Sequence, residues 1–309
     1  MNIIFMGTPD FSVSCLEELL NSGHNISAVF TREDKPVGRK QVMTAPPVKV
    51  FAQEHNLRVI QPKTLKSNTE VIDTIKEINP DIIVVVAYGR ILPSEILEIP
   101  KYGCVNVHAS LLPKYRGASP IQWSIISGDN VTGVTTMLMD EGMDTGDILE
   151  TAEIPILPQD TAETLFNKLS KLGAKLIVST VDKLKKGQIN PRKQPEEGVS
   201  YAPIIKKSMG ELDFNRPAAE LYNLIRGFTP WPLAYFKYND RRYKIFSASP
   251  DLKSNLPVGS LFYSENAAFV VCGDQMTLRI NEICPDGSKK MDAKAFINGR
   301  FIENKTKLL

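Results

Sequence analysis

The stretch Asp81–Gly89, DIIVVVAYG, carries five consecutive branched apolar residues, Ile82 to Val86, with no polar residue among them. A strand with one face in water alternates apolar and polar side chains. A strand covered on both faces reads instead as an unbroken apolar run, and such strands belong to parallel sheets packed between helices. The chain on either side follows that plan. Upstream, NIIFMG (Asn2–Gly7) leads into a segment whose Phe11, Cys15, Leu16, Leu19 and Leu20 recur at helical spacing, with Gly23 as a stop. Then come ISAVF (Ile26–Phe30), a polar loop, a helix opened by Pro46-Pro47, LRVIQ (Leu57–Gln61) and a helix over Asn68–Ile78. Downstream lie GCVNVHAS, a helix from Pro120 to Ser127, TGVTTMLMD (Thr132–Asp140) and DILETAEIPI. A long helix from Thr161 to Lys186 follows, with Asp160 as N-cap and Glu163 three residues on. Strand–helix alternation of this kind predicts an α/β domain with a doubly wound, mostly parallel, Rossmann-like sheet.

Past this domain the composition changes. KKGQINPRKQPEEGVSYAP (Lys185–Pro203) is rich in Pro, Gly and charge and reads as a linker. A helix over Pro217–Phe228 is followed by short alternating runs, LAYFKY, RRYKIFSA, AAFVVCG and MTLRINEI, separated by turn signals such as Asn239-Asp240 and Gly273-Asp274. A small OB-like β-barrel or an open β-sandwich fits this pattern. The expected division is a catalytic domain over 1–186, a linker over 187–207 and a β-barrel domain over 208–309.

Composition excludes several classes. No apolar run reaches the roughly 18 residues that span a bilayer. MNIIFMGTPD lacks the charged start and cleavage signal of a secretory leader, so a cytoplasmic protein, acting as a monomer, is expected. Cys15, Cys104, Cys272 and Cys284 form no CxxC pair and lie near no histidine cluster, which argues against a disulfide framework and against a metal site. Residues 206–309 hold 16 Lys+Arg against 11 Asp+Glu, a net +5, while the remainder is −3. A basic second domain suits a polyanionic partner. The turn after the first strand, GTPDFS, has Pro9 and Ser12 where a dinucleotide fingerprint needs glycines, and no Walker lysine follows. That weakens an NAD-linked oxidoreductase.

The chemistry concentrates in VNVHASLLPKYRG (Val105–Gly117). The chain has three histidines, and His108 stands at the end of a strand with Asn106 and Ser110 two residues to either side, on one face of an extended segment. A lone histidine is ordinarily a satisfied core residue, but a purely structural strand would carry Val or Ile at these positions. Sites in open α/β sheets collect at the carboxyl ends of strands. A second loop, MDEGMDTGD (Met139–Asp147), follows another strand and holds four carboxylates, one of which could reach the histidine.

Here the sequence resembles a known family. VNVHASLLPKYRGASPIQWSI followed by GVTTMLMDEGMDTGDIL, with IIFMGTPDFS at the start and IRGFTPWPLAYF (Ile225–Phe236) opening the second domain, is similar to the folate-dependent formyltransferases, and within them to the members that act on methionyl initiator tRNA. The resemblance runs nearly end to end. It implies that Asn106, His108 and Asp144 form the catalytic trio. It places the co-substrate 10-formyltetrahydrofolate along Ser110, Leu111, Leu112 and Pro113, near Tyr88, Arg90, Ile91 and Leu92, and beside Met139, Asp140 and Glu141. Formyl transfer to an amine is acyl transfer through a tetrahedral intermediate. It needs donors for the developing oxyanion and an acceptor for the amine's proton, and no metal. Asn106 and His108 suit the first task and Asp144 the second.

The acceptor is read from elsewhere. The loop Thr31–Lys49 is long for a strand-to-helix connection and carries Lys35, Arg39 and Lys40 around Gly38. The resemblance implies that it sits on the catalytic rim, where phosphate contacts to an RNA acceptor stem would form. The family's usual linker lysine is Ile204 here and its usual tryptophan is Phe214, leaving Lys206 or Lys207 to take over the lysine's role in binding tRNA. Two further readings are a formyltransferase with a sugar-nucleotide or small-amine acceptor, and a noncatalytic RNA-binding protein. The first leaves the basic loop and the +5 domain unexplained, and the intact trio speaks against the second.

Overall fold

DIIVVVAYG forms the middle strand of a seven-stranded sheet. The computed structural model describes residues 1–38 and 40–308, so Arg39 lies outside the described residues. The chain begins with strand β1 (Asn2–Gly7), helix α1 (Asp10–Asn21) and β2 (Asn25–Phe30). A hairpin of β3 (Lys35–Val37) and β4 (Val42–Thr44) stands where a polar loop was expected. After it come α2 (Pro47–Glu54), β5 (Val59–Ile60), α3 (Thr69–Ile78), β6 (Ile82–Val86) and α4 (Ser94–Leu97). β7 (Cys104–His108), α5 (Pro120–Ile126), β8 (Val131–Leu138), β9 (Ile148–Pro155) and α6 (Ala162–Lys185) complete this part. The sheet order is β5-β2-β1-β6-β7-β8-β9. Pairing is parallel from β5 to β7 and antiparallel for β8 and β9. All five residues of β6 are buried, as an unbroken apolar run requires, while β9 alternates from Glu150 onward because it forms the edge.

After β1 the chain runs outward to β2 and β5, then returns to β6 on the other side of β1. The carboxyl ends of β1 and β6 therefore flank the topological switch point, where open α/β sheets keep a crevice. One core of this unit packs Ile4, Phe30, Ile83, Val85, Tyr88 and Leu92 together. No helix among the described residues is long and apolar enough to cross a membrane.

Two compact units divide the chain at several points. Residues 187–202, expected as linker, pack in the first unit. Residues 121–130 and 156–165, expected within the catalytic domain, pack in the second with 203–309. At the start of α6, Thr164 N–H donates to Thr161 Oγ1 at 3.3 Å and Thr164 Oγ1 to Asp160 Oδ1 at 2.9 Å. Asp160 also accepts from Leu157 N–H at 2.8 Å, bracing the turn before the helix.

The second unit adds α7 (Ala218–Gly227), β10 (Ala234–Tyr238), β11 (Arg241–Lys253), β12 (Ser260–Ser264), β13 (Ala267–Val271), β14 (Met276–Pro285), β15 (Met291–Asp292), α8 (Ala293–Asn298) and β16 (Thr306–Lys307). Its sheet is antiparallel in the order β10-β11-β14-β13-β12-β16, with β15 on β14. The core gathers Leu221, Leu224 and Ile225 of α7 with Phe214, Phe236, Ile280 and Phe296. Phe214 is fully buried and packs edge-on to Phe236 at 5.8 Å, so at this position the residue is core.

Candidate active site

The turn after β1 is tied to the end of β6. Thr8 Oγ1 donates to Tyr88 O at 3.1 Å and Ser12 Oγ to Val86 O at 2.6 Å. Gly7 is required by packing, since a Cβ there would lie 2.6 Å from the Phe5 ring and 2.7 Å from Ser12 Cβ. This turn is a close helix–strand contact and has no glycine loop to cradle a pyrophosphate.

Beside it opens a cleft of about 480 Å³ lined by Thr8, Pro9, Pro46, Pro47, Tyr88 and Gly89, with Arg32, Glu33 and Lys35 also on its walls. Four buried polar atoms at this end of the sheet have no partner among the described residues: Thr31 Oγ1, Tyr88 OH, Arg32 Nε and Arg90 Nη1. Burial pushes the Tyr88 phenol above its ordinary value, against the opposing pull of the Arg90 and Arg32 charges. Buried polar groups normally find partners, so unpaired donors at a switch-point cleft suit a polar ligand.

The expected trio converges one strand further along. Asn106 and His108 project from β7 toward the loop between β8 and β9. Asp144 Oδ1 lies 3.4 Å from Asn106 Nδ2 and 3.6 Å from His108 Nδ1. Its other oxygen accepts from Gly117 N–H at 2.8 Å. His108 Nε2 donates to the Tyr115 carbonyl at 2.9 Å, because a carbonyl oxygen can only accept. The two ring nitrogens thus face the Tyr115 carbonyl and the Asp144 carboxylate. The His108 side chain is 6% exposed and that of Asp144 16%, so their attraction is only partly screened by water. Asp144 sits at φ +55°, a left-handed conformation that aspartate tolerates better than most residues. Gly146 has no alternative, because a Cβ there would lie 1.6 Å from Leu138 O.

Of the residues expected around the folate, several have side chains engaged elsewhere. Ser110 is fully buried and donates to Lys114 O at 2.6 Å within its own turn, off the face shared by Asn106 and His108. Strand β7 ends at His108, so the alternation that placed Ser110 on that face stops before reaching it. Leu112 is buried with Met137 and Ile148, and its N–H donates to Thr135 Oγ1. Leu111 and Pro113 are half-buried beside it. Leu92 packs in the β6 core with Met139 against it, whereas Ile91 is 86% exposed. Arg90 pairs with Glu33 at 3.6 Å. Asp140 accepts from Gly142 N–H and Thr145 Oγ1, shaping the loop that carries Asp144, and Glu141 is exposed. Of the basic residues, Lys35, Lys40, Lys206 and Lys207 are exposed, while Lys49 is paired with Asp34. Sequence reasoning missed Tyr115, Gly117 and Gln194, whose contacts with the trio arise from chain reversals that no local pattern announces.

Comparison with known proteins shows the family. A formyl transferase family model matches residues 1–181, and the model of a formyl transferase C-terminal domain matches residues 204–300. A protein of Caldanaerobacter subterraneus subsp. tengcongensis named methionyl-tRNA formyltransferase is 48% identical over 99% of both chains. One of the same name from Thermodesulfovibrio yellowstonii is 48% identical over 97% of this chain and 96% of its own. Among solved structures, a Helicobacter canadensis N-formyltransferase in complex with folinic acid and dTDP-3-aminofucose covers 90% of this chain and 98% of its own, at 21% identity and a TM-score of 0.66. HypX from Aquifex aeolicus in complex with tetrahydrofolic acid covers 97% of this chain and 47% of its own, at 16% identity and a TM-score of 0.63. The two structures share the fold. With both domain models in order and relatives at 48% identity from end to end, the chain belongs to the formyl transferase family, in the branch of the methionyl-tRNA formyltransferases.

Proposed function

We propose that this chain transfers the formyl group of 10-formyltetrahydrofolate to the α-amino group of methionyl initiator tRNA. The observation that carries the reading is the convergence of Asn106, His108 and Asp144 at the carboxyl end of the sheet, next to the switch-point cleft. The folate supplies an activated formyl group. Unpaired donors at Tyr88 and Arg90, with the backbone of Ser110–Pro113 and Met139–Glu141, fit its polar pterin and its carboxylates. What remains for the protein is positioning, oxyanion stabilisation and proton handling.

Asn106 Nδ2 and the His108 ring face the negative charge growing on the formyl oxygen; Asp144 between them takes up the amine's proton as the amine attacks the formyl carbon and passes it to N10 of the folate as the formyl–N10 bond breaks, releasing tetrahydrofolate. An α-amine with an ordinary pKa of about 7.7–8.0 is roughly a quarter to two-fifths neutral at pH 7.5, so no strong base is needed. Lys35 and Lys40 on the β3–β4 segment serve as phosphate contacts for the acceptor strand, with Arg39 given the same role from the sequence alone and Lys206 and Lys207 as further contacts. The antiparallel unit is read as a small OB-like barrel in which β11, thirteen residues long with three register shifts, bends enough to serve both sides. The +5 charge of residues 206–309 suits the tRNA arm.

The test is direct. The protein is incubated with 10-formyltetrahydrofolate and methionyl initiator tRNA, a charged elongator tRNA, or an amino-sugar nucleotide. Formyl-methionine released from the initiator tRNA is expected. Formylation of the sugar nucleotide alone would move the chain to the alternative acceptor class.

A further inference from the structure

Composition marks residues 187–202 as linker, yet they form a strap across the first unit. At one end Ile148 and Arg192 exchange backbone hydrogen bonds of 2.8 and 2.9 Å. At the other, Arg116 N–H donates to Ser200 O and Ala202 N–H to Arg116 O, both at 2.8 Å. The strap therefore joins two loops that are far apart in sequence, one carrying Asp144 and the other carrying Tyr115 and Gly117.

Gln194 sits at the crossing. Its Nε2 donates to two carbonyls, Asp144 O and Gly146 O, each at 2.8 Å. Its Oε1 accepts from Arg116 Nε at 3.0 Å and Arg116 Nη2 at 2.7 Å. These four bonds fix which end of the amide is nitrogen, since the reverse orientation would set two donors against a guanidinium and an oxygen against two carbonyls. Asp144 is thus held twice. Gly117 N–H grips its carboxylate while Gln194 grips its main chain, and Arg116, next to Gly117, grips Gln194. The strap also steadies the histidine, because Ser200 Oγ accepts from the N–H of Tyr115, whose carbonyl takes His108 Nε2.

We infer that Gln194 is a positioning residue of the formyl-transfer centre, clamping the left-handed turn that presents Asp144 to Asn106 and His108. The inference rests on the reading of Asp144 given above. Two physical points carry it. An aspartate at φ +55° is held against its intrinsic preference, so its geometry depends on outside bonds, and the two Gln194 bonds span the turn at residues 144 and 146. Catalytic groups must be held to roughly 0.5 Å, and an error of about 1 Å costs on the order of a hundredfold in rate. Gln194 itself touches no trio side chain; it acts through the backbone.

The experiment compares Gln194→Met, which keeps the length and removes all four bonds, with Gln194→Glu. The latter keeps an acceptor for Arg116 and loses the two donors, so the strap stays docked. Both are measured for kcat, for KM toward tRNA and folate, and for melting temperature, with Lys193→Ala on the exposed side of the strap as control. Expected is a fall in kcat of roughly 10–100-fold in both, KM values within about twofold of wild type, and an unaffected control. The same change is then made in an Asp144→Asn background. A residue that works only through Asp144 should cost little more there, so the double variant should be nearly as active as Asp144→Asn alone. Losses that multiply, or a change confined to KM and melting temperature, would overturn the clamp. If Asp144→Asn is itself harmless, it is the reading of the trio that fails, and the two failures are told apart within one experiment.

Discussion

Asp144→Asn replaces a charge while leaving volume and turn geometry nearly untouched. In the native site one carboxylate oxygen accepts from Gly117 N–H at 2.8 Å and the other faces both Asn106 Nδ2 and His108 Nδ1. An asparagine keeps its carbonyl on Gly117 N–H and so turns its NH2 toward Asn106 and the ring. The substitution therefore removes the negative charge that faces Asn106 and the His108 ring and sets a donor in its place. Losing one group that stabilises a developing oxyanion typically costs about 10²–10³-fold in turnover. Single-turnover formylation at saturating tRNA and folate should fall by about 10²–10³-fold, with the melting temperature within a few degrees of wild type. A loss below about fivefold in a folded variant would remove Asp144 from the chemistry.

Three further outcomes can be checked. Replacing Lys35 and Lys40 by Ala should weaken tRNA binding and reduce the slope of log affinity against log salt by up to about 1.4–1.8, leaving folate affinity unchanged; filter binding across a salt series reads both. Burial raises the Cys15 and Cys104 thiols from 9.0 to about 12, so both stay protonated in the folded state while the unfolded chain ionises above about pH 9. Their contribution to stability is accordingly full below pH 9 and drains away between about 9 and 12, so the melting temperature should fall across that window and a thiol reagent at pH 8 should find Cys284 first. Gly146→Ala would drive a Cβ to 1.6 Å from Leu138 O, and should cost at least roughly 1–3 kcal/mol of stability together with activity, visible as a lowered denaturation midpoint.

What the sequence made legible follows from which forces act locally. Ile82–Val86 announced a doubly covered strand because burial on both faces leaves no room for alternation. The antiparallel run of β8 and β9 was not readable, since periodicity reports which face is buried and says nothing of strand direction. The β3–β4 hairpin escaped notice because its two strands are three residues each and all six residues are exposed, so no alternation between a buried and a wet face marks them. At the site, Asn106 and His108 stood out as polar residues where a buried strand should be apolar. Asp144 was only one of four carboxylates in its loop until the family resemblance picked it out. Its carboxylate accepts from Gly117 N–H, 27 residues away in the chain, a contact no local pattern announces. Gln194 gave no signal at all. A segment rich in Pro, Gly and charge builds no core, but composition carries no information about the backbone groups its side chains meet.

The strap has a consequence for the order in which the molecule matures. Asn106, His108 and Asp144 precede it in the chain, and the strands that carry them can pair as soon as they are made. The pieces that brace them, Gln194 and Ser200, come 50 or more residues after Asp144. A chain growing from its amino terminus thus assembles the sheet with Asn106, His108 and Asp144 first, and completes the strap only when residue 202 has been added. A fragment cut at the compositional boundary near residue 186 would hold these three side chains and lack Gln194 and Ser200, whereas one ending at 202 would carry both.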